Sequence, residues 1–411
     1  MTKPDTNKAT PQDFGHGIHI VGGGLTGYAA ALALAEAEFP VTVYQSRAPG
    51  KDTLRTTTIN PSAYDMLKDI GVIAALPADA LTPIYQIMVT DDADRDNTLD
   101  PVMSWHNSAE AGEGEPLAWV IGNAVLSDTM EAMLAAHDHI TTCQIDITGY
   151  QSRHPEYQQA AAALMTADDR LIPASLIIAA DGRNSKLRQA ARIRIITRNL
   201  GQSAIVSTVT MTEPHRHIAW QKFAEGGPIA LMPMPDKHMA SLVWSMTNED
   251  AERLMNVDDE RFAMACDDAT DLTFGRITDI GVRQTFAVIP THALWPVAQR
   301  LVLIGDAAHA INPLAGQGYN LALADVKALA RMLMTARRDG TDIGSRQLLH
   351  RYAFSRTPEI ATMTLATDGL NLLFSFGKRR RRLAGMGMAL ANLQGIKSFA
   401  QHVASGRLFG R

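Results

Sequence analysis

Glycines near the N-terminus have the spacing of a phosphate-binding turn. Gly22-x-Gly24-x-x-Gly27 follows the apolar run Ile18–Val21 and precedes an alanine- and leucine-rich stretch. In this context the first glycine permits a tight turn, the second admits a pyrophosphate to the backbone, and the third lets a helix pack on the strand. The helix N-terminus adds N–H donors and partial positive charge. The spacing therefore predicts a dinucleotide-binding turn, and a glycine turn without a ligand is the alternative.

Two aspartates follow later apolar runs. Asp181-Gly182 comes directly after Leu176–Ala180, and Gly305-Asp306 comes directly after Leu301–Ile304. Ligands of open α/β sheets bind at the carboxyl ends of the strands, which makes both aspartates candidates for ligand contacts. The alternative is that each aspartate only caps a turn. Gly316–Gly318 then opens a helix beginning near Asn320, and its N-terminus suits an anion or a polarised carbonyl group.

The elements that position these residues are alternating strands and helices. A strand at 18–21, a helix at 28–37 and a strand at 41–44 form a βαβ unit, which predicts a parallel sheet. A helix is also predicted over Ser127–Ala136, with Ser127 as its N-cap. Alternating segments between about 200 and 290 predict an antiparallel or mixed sheet.

Composition excludes several classes of protein. The chain has 411 residues, 46% of them hydrophobic, and a net charge of −5, so we expect a globular protein and no dedicated nucleic-acid binder. Two cysteines, Cys143 and Cys266, form neither a disulfide framework nor a metal-binding spacing. No apolar run reaches the ~18 residues of a membrane span, and the polar N-terminus has no secretory pattern. We expect a cytoplasmic protein.

The motifs resemble one family. Gly22–Gly27, Asp181-Gly182 with Arg188, and Gly305-Asp306 are similar to the three motifs of the class A flavin monooxygenases, which are single-component FAD-dependent aromatic hydroxylases. Within that family the chain looks most like the ubiquinone-biosynthesis hydroxylases, through Gly305–Asp325 (GDAAHAINPLAGQGYNLALAD) and Gly226–Pro233 (GGPIALMP). The resemblance extends from Ile18 to about residue 400.

The resemblance implies a set of FAD-binding residues. The glycine turn would hold the pyrophosphate, residue 45 would lie near the adenosine ribose, Asp306 would bind the ribityl chain, and the segment from 313 to 320 would lie beside the isoalloxazine ring. The implied cofactor-binding residues are Gly22, Gly24, Leu25, Thr26, Gly27, Gln45, Arg55, Asn123, Asp181, Gly182, Gly305, Asp306, Pro313, Gly316, Gln317, Gly318 and Asn320.

The resemblance also implies a reaction. NAD(P)H, as a transient co-substrate, would reduce FAD, and O₂ would then give a flavin C4a-hydroperoxide that hydroxylates an aromatic ring. The implied substrate is a polyprenylated phenol of ubiquinone biosynthesis. Two alternatives remain: an FAD-dependent reductase of a prenyl-type substrate, and a non-catalytic flavin-binding component of a quinone-biosynthesis complex. No catalytic base can be identified, although His215, His217 and His309 are candidates.

The implied fold is α/β. A Rossmann-like parallel sheet of the glutathione-reductase type would bind FAD and be interleaved with a mixed β-sheet substrate domain and C-terminal helices. The FAD-binding domain is predicted over 15–77, 117–190 and 275–330. The substrate domain is predicted over 78–116 and 191–274, the helical region over 331–411, and a flexible tail over 1–14.

Some positions depart from the family pattern. Gln45 replaces the usual glutamate, so a bond to the ribose would lack charge assistance. Gly122 and Ala124 flank Asn123 where the family usually carries larger residues, and Ala322 replaces a usual glycine. The departures at Gln45 and at Gly122 with Ala124 would weaken the retention of FAD. Arg47 would suit the 2′-phosphate of a bound dinucleotide, but the other motifs favour FAD, which has no such phosphate.

A basic run, Lys378–Arg382, lies beside apolar segments near the C-terminus. A solvated helix face or loop is the simpler interpretation. The alternative is peripheral contact with the inner face of a membrane or with a polyprenyl tail, since basic runs beside apolar helices favour anionic lipid.

Overall fold

A computed structural model describes residues 17–46, 54–91, 103–106, 114–153, 162–224, 226–311 and 316–375. The strands are β1 (Ile18–Val21), β2 (Val41–Tyr44), β3 (Thr56–Ile59), β4 (Thr82–Ile84), β5 (Gln86–Asp91), β6 (Met103–His106), β7 (Ala118–Gly122), β8 (Ile140–Cys143), β9 (Ile147–Gln151), β10 (Ala162–Thr166), β11 (Leu171–Ala174), β12 (Leu176–Ala179), β13 (Ile195–Thr197), β14 (Gln202–Met211), β15 (Ile218–Ala224), β16 (Gly227–Pro233), β17 (Met239–Thr247), β18 (Ile277–Ile280), β19 (Gln284–Ala287), β20 (Thr291–Ala293), β21 (Val297–Ala298), β22 (Leu301–Leu303) and β23 (His309–Ala310). The helices are α1 (Leu25–Glu36), α2 (Pro61–Asp69), α3 (Val72–Ala75), α4 (Asn123–Ala136), α5 (Lys186–Ala190), α6 (Asn248–Met255), α7 (Asp259–Thr270), α8 (Gly318–Arg338) and α9 (Arg346–Ser375).

A parallel sheet forms the first layer. Its strands are hydrogen-bonded in the order β21-β22-β12-β1-β2-β8, and all pairs are parallel except β21 with β22. Every residue of β1, β2 and β12 is buried, as expected of strands that are covered on both faces. Helices α1, α4 and α8 cover one face, and the small sheet β11-β10-β9 lies on the other. The predicted α/β fold with a βαβ unit is confirmed.

A mixed sheet forms the second layer, in the order β18-β14-β17-β16-β15-β5-β6, with β19 paired to β14. Only β5 and β15 pair in parallel; the other pairs are antiparallel. One face packs against α6 and α7 through Trp220, Leu242 and Phe262. The opposite face packs against the small sheet β3-β7-β4, where Ala219 and Met232 share a buried apolar cluster with Val120. The two faces of this sheet are therefore covered by different elements.

Several element boundaries differ from the predictions. Helix α4 begins at Asn123, so the prediction that Ser127 is its N-cap is wrong; Gly122 is the N-cap. Helices α1 and α8 begin earlier than predicted, at Leu25 and Gly318. The stretch 91–115 is rich in Asp, Asn, Gly and Glu, which predicts a surface segment. Within it, residues 103–106 form β6, and residues 92–102 and 107–113 lie outside the described residues.

The strands of the parallel sheet come from three separated stretches of chain, and the division into domains stays a prediction. The predicted tail and the basic run Lys378–Arg382 lie outside the described residues. Within the described ranges, the helices are too short or too polar to cross a bilayer.

Candidate cofactor-binding site

Four candidate residues lie at one edge of the parallel sheet. Strands β22, β12, β1 and β2 are adjacent and parallel, so their carboxyl ends meet at the same edge. Gly305, Asp181, Gly22 and Gln45 follow these strands by one or two residues. This is the edge at which ligands bind in open α/β sheets. Residues far apart in sequence are thus brought together by strand order alone.

In the glycine turn, a side chain would collide with the backbone at two positions and would have free space at a third. Gly22 has φ +131°, and a Cβ there would lie 2.1 Å from the carbonyl oxygen of Ala180. A Cβ on Gly27 would lie 2.1 Å from the carbonyl oxygen of Gly22, because α1 crosses β1 closely. A Cβ on Gly24 would meet nothing within 4 Å. The turn is therefore packed against the sheet but leaves space at Gly24, where a phosphate must approach.

The turn at Gly305 lies against the glycine turn. Gly305 has φ +56°, and a Cβ there would lie 2.9 Å from Cγ2 of Thr26. The carbonyl oxygen of Leu25 lies 3.5 Å from the hydroxyl group of Tyr319, which places the start of α8 beside the start of α1. The side chain of Asp306 is exposed. The carboxylate therefore points into solvent, next to the open glycine turn.

Asp181 has a carboxylate oxygen that nothing in the described part of the chain satisfies. Its Oδ2 accepts a hydrogen bond from the backbone N–H of Leu187 at 3.2 Å. Its Oδ1 is buried and, among the described residues, has no hydrogen-bond partner. The next residue, Gly182, has φ +76° and open space around its Cα. A ligand hydroxyl group would satisfy the remaining oxygen.

Arg188 joins the two aspartate motifs. Its guanidinium donates to the carbonyl oxygen of Ala307 at 2.8 Å and to that of Arg183 at 2.7 Å. Burial lowers the pKa of Arg188, while the charge of Asp181 opposes that shift. The Asp181 loop and the Asp306 turn are therefore held in one arrangement by a buried cation.

Gln45 lies over the glycine turn, because its Cγ would be 2.7 Å from a Cβ on Gly23. Its Nε2 donates to the hydroxyl group of Tyr28 at 3.1 Å. Burial and the charge of Glu131 raise the pKa of Tyr28 to about 12, despite the opposing effect of the bond from Gln45. Gln45 thus has an anchored, uncharged amide at the position where the family usually carries glutamate.

Arg55 and Asn123 lie where the two layers meet. The guanidinium carbon of Arg55 is 5.1 Å from the ring centroid of Phe286, which belongs to β19 of the mixed sheet. The backbone N–H of Asn123 donates to the carbonyl oxygen of Arg55 at 2.9 Å. Nearby, the Thr56 hydroxyl group donates to that of Ser241 at 2.9 Å and links β3 to β17. Both candidates therefore lie at the junction of the sheet β3-β7-β4 with the mixed sheet, here termed the cofactor cleft.

The start of α8 is held by backbone contacts. Asn320 donates from Nδ2 to the carbonyl oxygen of Thr58 at 2.9 Å, and its Oδ1 accepts from the backbone N–H of Asn60 at 3.0 Å. Its Nδ2 is also 3.2 Å from Oε1 of Gln317. Gly316 has φ +64°, and a Cβ there would lie 2.9 Å from Oγ1 of Thr58. Asn320 thus positions the helix start, while Gly318 is the first residue of α8 and Pro313 lies outside the described residues.

Three helices that start at this cleft have open N-termini. In the described structure, α1, α4 and α8 have neither a side-chain cap nor an acidic residue in the first turn. Their N–H groups and partial positive charge suit phosphate and other electron-rich groups. The open space at Gly24, the unsatisfied Oδ1 of Asp181 and the exposed Asp306 complete a set that fits FAD. Which side chains contact the cofactor stays a prediction.

A buried ionic network was missed by the sequence reasoning. Asp325 in α8 accepts hydrogen bonds from the Gly305 N–H at 3.0 Å, from Nε2 of His309 at 2.5 Å and from Nε of Arg356 at 2.7 Å. Burial alone would raise the pKa of Asp325, but His309 and Arg356 hold it at about 2. His309, a candidate catalytic base, has its ring beside this carboxylate. Its nearness to Gly305-Asp306 was the only sequence signal.

The other histidine candidates anchor a turn. Nε2 of His215 lies 3.0 Å from the carbonyl oxygen of Met234, and Nδ1 of His217 lies 3.1 Å from that of Pro83. Burial lowers the pKa of His215. Both rings therefore contact backbone carbonyl groups, and a catalytic role for either residue stays a prediction.

Comparisons with known proteins agree with this geometry. The FAD binding domain family matches residues 17–367. Ubiquinone hydroxylase UbiL of Rhodospirillum rubrum is 33% identical over 372 residues, which is 87% of this chain and 81% of that protein. The 3-demethoxyubiquinol 3-hydroxylase of Escherichia coli is 31% identical over 364 residues, covering 87% of this chain and 89% of that protein.

A solved structure shares the fold. p-Nitrophenol 4-monooxygenase PnpA from Pseudomonas putida superimposes with a TM-score of 0.75, covering 95% of this chain and 98% of that one. The two chains are 14% identical, so the similarity concerns the fold alone.

Proposed function

We propose that the protein hydroxylates the aromatic ring of a polyprenylated ubiquinone precursor. The chain belongs to the FAD binding domain family and is an FAD-dependent monooxygenase, and the proposal proceeds from this. The observation that carries the proposal is the similarity, over 87% of the chain, to a ubiquinone hydroxylase and a 3-demethoxyubiquinol 3-hydroxylase. NAD(P)H and O₂ are the co-substrates.

The chain's own residues would bind and orient the cofactor. Gly24 leaves room for the pyrophosphate, Asp306 offers a carboxylate to the ribityl hydroxyl groups, and Asp181 offers its unsatisfied Oδ1. When bound, the cofactor supplies the activation of O₂ and the transfer of one oxygen atom to the ring. The open N-terminus of α8 would stabilise negative charge on the reduced cofactor.

The face of the mixed sheet that is turned toward β3-β7-β4 supports an apolar aromatic substrate. Ala219, Ala230 and Met232 are buried on this face. Val206 on β14, which is separated from β16 by β17, is also buried. Apolar surfaces around a cleft exclude water, which protects the oxygen-transfer step from unproductive decay.

The test is a coupled turnover measurement. The FAD-loaded protein is mixed with NADH or NADPH and a short-chain demethoxyubiquinol, and nicotinamide oxidation, O₂ uptake and product mass are followed together. A hydroxylase consumes both co-substrates in equal amounts and yields a product one oxygen atom heavier. A reductase oxidises NAD(P)H without matching O₂ uptake, and a non-catalytic component does neither. Catalase is added as the control for oxygen lost as peroxide.

We also propose that the enzyme is cytoplasmic, contacts the membrane through its basic run, Lys378–Arg382, and joins a quinone-biosynthesis complex. The basic run next to apolar segments supports the contact with anionic lipid. Sedimentation with anionic vesicles tests it: Arg379→Ser with Arg380→Ser and Arg381→Ser should lose binding. Arg331→Ser with Arg338→Ser and Arg351→Ser, at exposed positions of α8 and α9, removes the same number of charges and is the control. Equal sedimentation of both variants would contradict the contact.

A further inference from the structure

A cavity of about 250 Å³ lies at the edge of the mixed sheet, between β5, β15 and the loops that precede β15 and follow α7. Its apolar walls include Met88, Trp220 and Phe274, and its polar lining includes Thr90, Arg216 and Asp271. None of these residues belongs to the cofactor-binding set.

The cavity lies across the sheet from the cofactor cleft. Trp220 packs on the back face with Leu242 and the helices α6 and α7. Its neighbour Ala219 points to the opposite face, where it belongs to a buried cluster with residues of the β3-β7-β4 sheet. Because successive side chains of a strand point to opposite faces, a ligand beside Trp220 is separated from the cleft by the sheet itself.

Two buried polar groups in the cavity wall lack a partner in the described part of the chain. The indole Nε1 of Trp220 and the hydroxyl group of Thr90 make no hydrogen bond there, although the residues are only 1% and 4% exposed. The register pairs Trp220 with Met88 and Lys222 with Thr90, so the two groups lie two positions apart on neighbouring strands. Buried polar groups are nearly always satisfied, and a bound ligand would satisfy both.

The rim of the cavity is held in a strained conformation. Arg216 and His217 have φ of +51° and +57°, and Asp271 and Leu272 have φ of +52° and +54°. Left-handed conformations at such residues are costly and cluster at ligand-binding sites. Lys222, 5% exposed, donates to Asp271 at 2.6 Å and fixes one side of the rim.

The two rim segments are also joined directly. The backbone N–H of Thr212 donates to the carbonyl oxygen of Arg276 at 2.9 Å, and that of Glu213 to the carbonyl oxygen of Phe274 at 3.1 Å. A Cβ on Gly275 would lie 2.0 Å from Oγ1 of Thr212. The cavity is therefore a preformed feature of the fold, as small-molecule sites usually are.

We propose that this cavity is a second small-molecule site, which binds single-ring aromatic carbonyl compounds. The indole N–H is a donor only, so its partner must be an acceptor oxygen, and a carbonyl oxygen has lone pairs for both Trp220 and Thr90. Flat rings suit walls of methionine and aromatic residues. An apolar cavity of ~150 Å³ holds benzene, so this larger one holds a ring with substituents. The proposal goes beyond the proposed function and does not depend on turnover.

The test uses acetophenone as the probe and ethylbenzene, which has the same shape without the carbonyl group, as the matched ligand. The FAD-loaded protein is labelled with ¹⁵N, and the Trp220 indole signal among the five tryptophans is assigned by its loss in Trp220→Phe. Acetophenone should shift this signal saturably, and ethylbenzene should bind roughly tenfold more weakly because it lacks the acceptor.

Two variants complete the test. Thr90→Val, which removes the hydroxyl group while keeping the side-chain shape, should weaken acetophenone binding roughly fivefold. Trp244→Phe, on the same sheet beside Phe262 and outside the cavity lining, should leave the affinity unchanged. The proposal is overturned if the Trp220 signal stays in place up to the solubility limit, if ethylbenzene binds equally well, or if both variants behave alike.

Discussion

Asp306 has an exposed carboxylate on a backbone that is fixed on both sides. The N–H of Gly305 donates to Asp325, and the carbonyl oxygen of Ala307 accepts from Arg188. The side chain of Asp306 takes no part in these bonds, which hold the turn in place. The residue can therefore be changed without disturbing the turn that carries it.

We expect Asp306→Ala to release FAD from the purified protein. Loss of charge-assisted hydrogen bonds to ligand hydroxyl groups costs roughly 1.5–3 kcal/mol, which raises the dissociation constant about 10- to 100-fold. Flavin absorbance after gel filtration and titration with added FAD measure this. Asp79→Ala, at another exposed position, is the control and should retain the cofactor. Full flavin occupancy in Asp306→Ala would contradict the assigned role.

Cys143 and Cys266 are buried, at 1% and 0% exposure. Burial raises the pKa of Cys143 to about 11 and, with the charge of Asp267, that of Cys266 to about 12. Because the thiolate is the reactive form, we expect neither cysteine of the folded protein to react with iodoacetamide at pH 8. Mass spectrometry before and after addition of urea measures this, and the unfolded chain should be alkylated at both sites. Rapid labelling of the folded chain would contradict the prediction.

At the scale of the element, the glycines of the unit formed by β1, the glycine turn and α1 have different roles. A Cβ on Gly27 would collide with the backbone of Gly22, whereas a Cβ on Gly24 would enter open space. We expect Gly27→Ala to lower the free energy of unfolding by about 3 kcal/mol, because α1 must move away from β1. Urea unfolding of the apoprotein measures the loss.

Gly24→Ala is the matched variant. Gly24 has φ −115°, which alanine adopts easily, so stability should be unchanged. The added methyl group would occupy the space that a pyrophosphate requires, and FAD affinity should fall about tenfold or more. If both variants lost the same stability, the division between packing at Gly27 and ligand access at Gly24 would be wrong.

Some elements could be predicted from the sequence, and the boundaries of others could not. The strands at Ile18–Val21 and Val41–Tyr44 were predicted correctly because short, β-branched runs bounded by breakers have few alternatives. The start of α4 was predicted wrongly. Ser127 is a residue type that favours the N-cap position, but the helix begins at Asn123, whose N–H donates to the carbonyl oxygen of the distant Arg55. Contacts between separate segments decide such boundaries, and a local pattern does not contain them.

At the scale of the whole molecule, Asp325 joins the cofactor edge to the C-terminal helices. Gly305, His309 and Arg356 donate to one carboxylate from the turn after β22, from β23 and from α9. Arg356 also pairs with Glu359 and approaches the carbonyl oxygen of Leu321. The sequence could not predict this network, because its members belong to elements whose packing is set only by the complete fold.

We expect Asp325→Asn to destabilise the protein in a pH-dependent way. Removing one partner of a buried ionic network costs roughly 3–5 kcal/mol near neutral pH. The pKa of Asp325 is lowered to about 2 in the folded state, below its value in the unfolded chain. The carboxylate therefore stabilises the fold fully above about pH 4, and this contribution is lost as the pH falls toward about 2. Urea unfolding at several pH values measures the difference between wild type and variant.

The difference in unfolding free energy should be largest near pH 7 and should shrink by roughly 2–3 kcal/mol at the acid end. Asp339→Asn, at an exposed position after α8, is the control and should show a small difference at every pH. A constant difference for Asp325→Asn across the same range would mean that the variant acts through packing alone. Loosening of the Gly305 turn should also weaken FAD binding in Asp325→Asn, because Asp306 is presented by that turn.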